Sequence, residues 1–339
     1  PLFLAQHNRR LLQRAADACP GATIPEGVYP VNVLVTPRSF GKTNPELFDR
    51  LRDAGLTVLR NDTGGILSAE QMRVRLADCQ GVILGVDPLD ASVLTVAPQL
   101  RAVAKYGVGL DNIDLEYCKT RGIAVSRTVG ANSEAVADYA LTLMLMAARR
   151  AALIDRRCRR KDWSKITSLD LYGKTLGIVG LGAVGRCVVR RARGFAMKIL
   201  AHDIVWDAAW AAENGVERAD LDRICREADC ITLHTALTDA TRNCINAARL
   251  ASMKPTAILV NTARGGLVDE AALLDALREN RIYGAGLDVF AQEPPADPAW
   301  YGLDNLVMGS HCAASTAGAT AAMGHMAVDN LLRDLGLTA

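Results

Sequence analysis

The chain runs to 339 residues, half of them apolar, and its 39 Lys and Arg nearly balance 37 Asp and Glu to leave a formal net charge of +2. That length suits two domains of roughly 100–200 residues, and a near-neutral chain has no global field to recruit nucleic acid or a membrane surface. Its uncharged stretches are too short for a membrane-spanning helix, and the opening Pro1-Leu-Phe-Leu-Ala segment is too short for a secretory signal; nine cysteines without a Cys-x-x-Cys pair read as thiols in a reducing, cytoplasmic setting, with no metal expected.

Residues 1–30 form an N-terminal extension. Asn8 to Cys19 has the pattern of a basic amphipathic helix, and Pro20 to Pro30, with three prolines and two glycines, reads as a linker. From Val31 onward, apolar runs alternate with helical stretches in a βαβ rhythm. Strands are expected at Val31–Thr36, Thr57–Arg60, Gly81–Gly85, Arg101–Tyr106 and Ile123–Ser126. Helices are expected at Pro45–Ala54, Ser68–Leu76, Ala91–Ala97 and Leu115–Arg121, giving a first, smaller doubly wound α/β unit. The stretch from Ala131 to Arg150 is apolar on most of its circumference, as a helix buried on several sides should be. The cationic run from Arg149 to Lys161 has only Trp163 as a nearby aromatic, so a solvated arm or subunit contact fits it better than a nucleic-acid surface.

Residues 176–185 read Leu-Gly-Ile-Val-Gly-Leu-Gly-Ala-Val-Gly, a buried-strand run feeding a G-x-G-x-x-G turn at Gly180, Gly182 and Gly185. Glycines there let the backbone approach a pyrophosphate, and the N-terminus of the following helix offers amides to its charge. A second strand, Met197 to Ala201, ends in His202-Asp203, placing Asp203 18 residues beyond Gly185. A carboxylate at that distance accepts hydrogen bonds from ribose hydroxyls and repels a 2′-phosphate, which favours NAD over NADP. Strands at 176–180, 197–202, 229–234, 257–261, 284–289 and 305–308 make a second sheet of six. The last helix, Ala317 to Leu335, has no place in that sheet and is expected to return to the first unit.

Seven segments in order carry a family resemblance: Lys105-Tyr-Gly-Val-Gly-Leu-Asp-Asn-Ile-Asp114, Gly130-Ala-Asn-Ser-Glu-Ala-Val-Ala-Asp138, the glycine turn, Met253-Lys-Pro, Asn261-Thr-Ala-Arg-Gly-Gly-Leu-Val-Asp-Glu270, Asp288-Val-Phe-Ala-Gln-Glu-Pro294 and Ser310-His311. From about Val31 to about Leu335 the chain resembles the D-isomer-specific 2-hydroxyacid dehydrogenases. The resemblance implies two doubly wound parallel-sheet domains, with a Rossmann NAD-binding domain (128–309) inserted into a flavodoxin-like substrate domain (31–127 and 310–339). It implies catalytic residues at Arg264, Glu293 and His311. Cofactor contacts would fall on Gly180, Gly182, Ala183, Val184, Gly185, Asp203, His234, Thr262, Ala263 and Asp288, and substrate contacts on Val108, Gly109 and Arg264. A homodimer packed through the Ala131–Arg150 helix also follows from the family.

The chemistry asks for these residue types. A 2-oxo acid places a carboxylate beside its ketone, which the planar fork of Arg264 can hold while polarising the carbonyl. His311 would give the developing alkoxide its proton and take it back in the reverse direction, while Glu293 would hold the other ring nitrogen and fix the tautomer. All three follow C-terminal strand ends of one parallel sheet, where ligands of such folds bind. His234, also at a strand end, competes for the acid role, though the resemblance places it beside the cofactor.

Formate dehydrogenases resemble this fold but carry glutamine where Glu293 stands, so the glutamate argues for reduction of a 2-oxo acid. Two residues depart from the usual pattern: Ser310 replaces a proline before the histidine, and Ala236 stands where His-x-Pro-Leu-Thr is commoner. For the substrate, residues 99–150 resemble phosphoglycerate dehydrogenases. Arg38, Arg60 and Lys105, at strand ends of the first unit, are where a second anionic group would be met. A phosphorylated or otherwise doubly anionic acid is therefore expected, with glyoxylate, hydroxypyruvate or D-lactate chemistry as the alternative. Corepressors that share this fold bind NAD as dimeric scaffolds, but they carry a tryptophan shortly after the active-site histidine; here Cys-Ala-Ala-Ser-Thr-Ala-Gly follows His311.

Overall fold

The computed structural model describes residues 31–337. The expected Asn8–Cys19 helix and the Pro20–Pro30 linker lie outside them.

Strands β1 (Val31–Val35), β2 (Leu56–Arg60), β3 (Gly81–Leu84), β4 (Ala102–Lys105) and β5 (Ala124–Arg127) form a parallel sheet in the order β2-β1-β3-β4-β5. That is the flavodoxin-like order. β3 and β4 are buried at every position, as unbroken Gly-Val-Ile-Leu and Ala-Val-Ala-Lys runs must be when both faces of a parallel sheet are covered. Alternation along β1 divides the core: Leu34 packs with Met72, Leu76, Val93 and Leu94 of α2 (Ala69–Leu76) and α3 (Ala91–Leu94). Val33 and Val35 pack on the opposite face with Leu47, Phe48 and Leu51 of α1 (Glu46–Asp53). α4 (Leu115–Thr120) leads into β5.

The second sheet has seven parallel strands, β6 (Thr175–Val179), β7 (Lys198–His202), β8 (Val216–Arg218), β9 (Cys230–Leu233), β10 (Ile258–Asn261), β11 (Gly284–Leu287) and β12 (Leu306–Met308), in the order β12-β11-β10-β9-β6-β7-β8. Six had been expected. β8 escapes sequence pattern because it is a three-residue edge strand in which only Val216 is buried. The order reverses between β9 and β6, and at such a switch point a Rossmann sheet opens its ligand crevice.

The expected Ala131–Arg150 helix is α5 (Ser133–Ala148), which ends before Arg150 turns left-handed at φ 53°; the basic run expected as a solvated arm instead opens a further helix, α6 (Ala151–Arg159). α5 lies against β10 and β11 and against α7 (Ala183–Ala192); Gly286 lets its strand approach the Leu143 backbone. Much of the basic run that follows is paired: Arg150 stacks on Tyr283, Arg156 meets Asp304 and Arg159 meets Asp155. Helices α8 (Ala208–Glu213), α9 (Leu221–Glu227), α10 (Ala247–Ser252) and α11 (Glu270–Arg278) fill the remaining connections. α12 (Ala317–Asp334) returns to the first sheet as expected, burying Ala327, Val328, Leu331 and Leu332 against it. Among the described residues no helix is long and apolar enough to cross a membrane.

Candidate active site

The glycine turn joins β6 to α7, and its three glycines meet three different demands. Gly180 has φ +98°, and a Cβ there would lie 2.6 Å from the carbonyl carbon of His234. A Cβ at Gly185 would strike the Gly180 carbonyl oxygen, so the third glycine lets the helix close on the strand. At Gly182 an added Cβ would meet nothing within 4 Å, and no side chain caps the helix that begins at Ala183 and Val184. The turn is therefore tight behind and open in front, the shape a pyrophosphate needs at a helix N-terminus.

Asp203, just past β7, leans over the same turn: one carboxylate oxygen accepts from Leu181 N at 2.6 Å and the other from Val205 N at 2.9 Å. The Thr262 hydroxyl, at the end of β10 beside Ala263, is buried and finds no hydrogen-bond partner among the described residues, a donor left over for a bound molecule. His234 follows β9. Its Nε2 lies 2.9 Å from the Thr232 hydroxyl, and burial pushes the imidazole down to about 3, so the ring is neutral at ordinary pH. These residues fit the NAD molecule that the resemblance implies.

The second group faces the first sheet. Arg264 follows β10 in a turn braced by buried Asn261, whose amide donates to Arg264 O at 2.8 Å and accepts from Ala263 N at 3.0 Å. The guanidinium donates through Nε to Asp111 at 2.9 Å and through Nη1 to Ala263 O at 2.7 Å. Its Nη2 occupies the space a side chain at Gly109 would need, which seats the Val108-Gly109 backbone directly beside Arg264. Burial alone would raise the Asp111 carboxyl, but the charge and hydrogen bond of Arg264 outweigh it and hold the group below its usual range.

His311 and Glu293 meet as expected, with Nδ1 at 2.8 Å from Oε2. Glu293 also accepts from Phe290 N at 3.1 Å. Burial works to raise its carboxyl, yet the His311 ring, the Phe290 amide and the charge of Arg264 bring it below the ordinary range. Gly265, next to Arg264, packs against the Phe290 and Ala291 backbone, where any Cβ would collide, so the arginine turn and the glutamate loop are in direct contact.

Four further residues expected in the site have partners or positions of their own. Asp288, expected beside the cofactor, is 1% exposed, and its two carboxylate oxygens accept from Cys312 N at 2.9 Å and Ala313 N at 2.8 Å; it braces the histidine loop. Lys105, expected to meet substrate, is 4% exposed and donates to Gly85 O and to Asn112 Oδ1 at 2.7 Å. Arg60 lies 4.1 Å over the Phe48 ring, and Arg38 stands in an exposed turn after β1. The structure does not gather these three into a second anion site. Asp111, Asn261 and Glu270 are supports that sequence reasoning did not single out, although all three stand inside the matching segments.

A glycine turn at a sheet's switch point, with Arg264, Glu293 and His311 on loops that follow strands of the same sheet, is the arrangement of an NAD-dependent α/β oxidoreductase. Residues 141–313 match the family described as D-isomer specific 2-hydroxyacid dehydrogenase, NAD binding domain. A glyoxylate reductase of Korarchaeum cryptofilum is 44% identical over 266 residues, 76% of this chain and 80% of that protein. A D-3-phosphoglycerate dehydrogenase of Methanocaldococcus jannaschii is 37% identical over 298 residues, 87% of this chain but 52% of that one. Among solved structures, a D-lactate dehydrogenase from Aquifex aeolicus complexed with NAD and lactic acid matches with a TM-score of 0.78 at 28% identity, covering 90% of this chain and 97% of that one. The chain belongs to the D-isomer-specific 2-hydroxyacid dehydrogenases.

Proposed function

We propose that this protein interconverts a small 2-oxo acid and its 2-hydroxy acid, of the glyoxylate or hydroxypyruvate type. The observation that carries this reading is the His311–Glu293 pair, with Nδ1 bonded at 2.8 Å, on the same sheet edge as an Arg264 seated against Gly109. Arg264 holds the substrate carboxylate together with the Val108-Gly109 backbone and polarises the ketone. His311 donates a proton to the carbonyl oxygen in reduction and removes it in oxidation. Glu293 fixes the ring and balances its charge. When bound, the nicotinamide supplies or accepts the hydride.

The engaged states of Lys105 and Arg60 support a substrate with one anionic group over the phosphorylated acid expected from sequence, and the Korarchaeum relative's name points the same way. On this reading residues 128–309 hold the cofactor, and 31–127 with 310–339 hold the substrate. We further propose a cytoplasmic homodimer, supported by eight unpaired cysteines among the described residues and by Trp163 and Tyr172, which are 81% and 74% exposed on the segment after α6.

NADH oxidation with glyoxylate, hydroxypyruvate, pyruvate and 3-phosphohydroxypyruvate tests the proposal. The first two should give the highest kcat/KM. Preference for the phosphorylated acid would restore the doubly anionic reading, and no turnover despite tight NADH binding would leave a scaffold.

A further inference from the structure

We propose that Glu270 is a positioning residue for the proton-transfer pair: a second carboxylate that locks the Glu293 loop onto the Arg264 turn and sets its negative charge behind Glu293. The proton-transfer role itself rests on the function proposed above.

The Glu293 loop is exposed from Ala291 through Pro294, so it needs an external hold if Glu293 is to meet His311 at a fixed distance. Two consecutive amides supply it. Phe290 N donates to Glu293 itself, and Ala291 N donates to Glu270 Oε1 at 2.6 Å. Glu270 opens α11, but the capping of that helix is done by its neighbour Asp269, whose carboxylate accepts from Ala272 N. Glu270 is therefore free to reach across to the loop. Gly265, in the turn before α11, packs on the same Phe290-Ala291 backbone. One continuous segment thus presents Arg264, backs the loop through Gly265, and pins it through Glu270.

With neighbouring amides as their anchors, the two carboxylates repel each other. Burial first, and then the charge of Glu293, push the Glu270 carboxyl up, with the Ala291 amide opposing. The charged groups around this carboxylate pair are Glu293 on the β11 loop, His311 on the β12 loop and Arg264 on the β10 turn. Because Glu293 is bonded to the His311 ring and faces Glu270, the loss of the Glu270 charge is read at that ring. An ordinary first-turn helix acid would contribute to stability without touching the ring's titration.

Glu270→Gln keeps an acceptor for Ala291 N and removes the charge. The His311 ring signal, assigned by its loss in His311→Asn, is followed by NMR against pH in the full chain, alongside the pH profile of NADH-dependent reduction. In Glu270→Gln the titration midpoint and the alkaline limb should both move down by about half a pH unit, with NADH affinity within about twofold of wild type. Glu270→Asp, which keeps the charge but shortens the reach, should hold the midpoint and lose about tenfold in kcat; it also serves if the glutamine variant does not fold. An unchanged midpoint in Glu270→Gln, or a shifted midpoint in Glu270→Asp, overturns the proposal. If wild type turns over no 2-oxo acid, the functional reading fails on its own, and the ring titration still decides whether Glu270 is coupled to His311.

Discussion

His311 sits at φ 56°, a left-handed backbone that a histidine adopts at a cost. The contacts that hold it there also aim it: its amide donates to Asp288 O at 2.8 Å, the next two amides bind the Asp288 carboxylate, and its ring is drawn to Glu293. With His234 neutral and bonded to Thr232, His311→Asn should lower kcat by about 10²- to 10⁴-fold while NADH affinity stays near wild type. Stopped-flow reduction and NADH fluorescence titration check the two halves, and an active variant would return the acid role to His234. Lys105 offers a different test. Burial, followed by the charge of Arg264, brings its ammonium down to about 8 against the opposing Asp111 and Asp87. The folded protein then binds fewer protons than the unfolded chain between that value and the ordinary lysine value of 10.5, so the charged lysine costs stability at neutral pH and that cost fades as pH rises. Relative to Lys105→Met, wild type should gain up to about 3 kcal/mol in urea unfolding between pH 7 and pH 10.5. A flat difference would mean the ammonium is solvated. Arg264, Glu293 and His311 were legible because each stands in a short, distinctive segment. Their supports were not: Asp111 meets Arg264 across 153 residues of chain, and nothing local to either residue specifies that pairing.

At the scale of elements, the β6–α7 turn separates a folding role from a binding role within six residues. Gly185→Ala forces a Cβ into the Gly180 carbonyl, a backbone atom that cannot step aside, so this variant should lose stability by about 2 kcal/mol or more. Gly182→Ala meets nothing in the protein. It should melt within about 2 °C of wild type yet bind NADH about tenfold more weakly, because its methyl fills the approach of the pyrophosphate. Paired calorimetry and titration distinguish the two; equal effects on stability would refute the division. Elements with a clear apolar pattern, such as the continuous buried runs of β3, β4 and β6 and the helical spacing of α12, could be read from sequence to within a residue or two. β8 could not, because an edge strand with one buried residue carries no period. α6 was hidden too, since none of its residues is buried and the basic run therefore shows no apolar face.

For the whole molecule, the two sheets meet through the Arg264–Asp111 pair, one partner on the β10 turn and the other on the loop after β4. Either of two consequences could follow from a charge pair in that position. If Asp111 holds the guanidinium by Nε so that Nη2 stays against Gly109, the pair pre-organises the arginine and lowers the entropy that substrate binding must overcome. If instead the pair competes with the substrate carboxylate, binding must first break it. The geometry favours the first: Nε and Nη1 are taken by Asp111 and Ala263, which leaves the Nη2 edge turned to the Val108-Gly109 backbone. Asp111→Ala is therefore expected to raise KM for the 2-oxo acid by about tenfold or more. NADH affinity should be unchanged, since none of the cradle residues contacts Asp111. A fall in KM would instead identify the pair as a latch that the substrate displaces as the cleft closes.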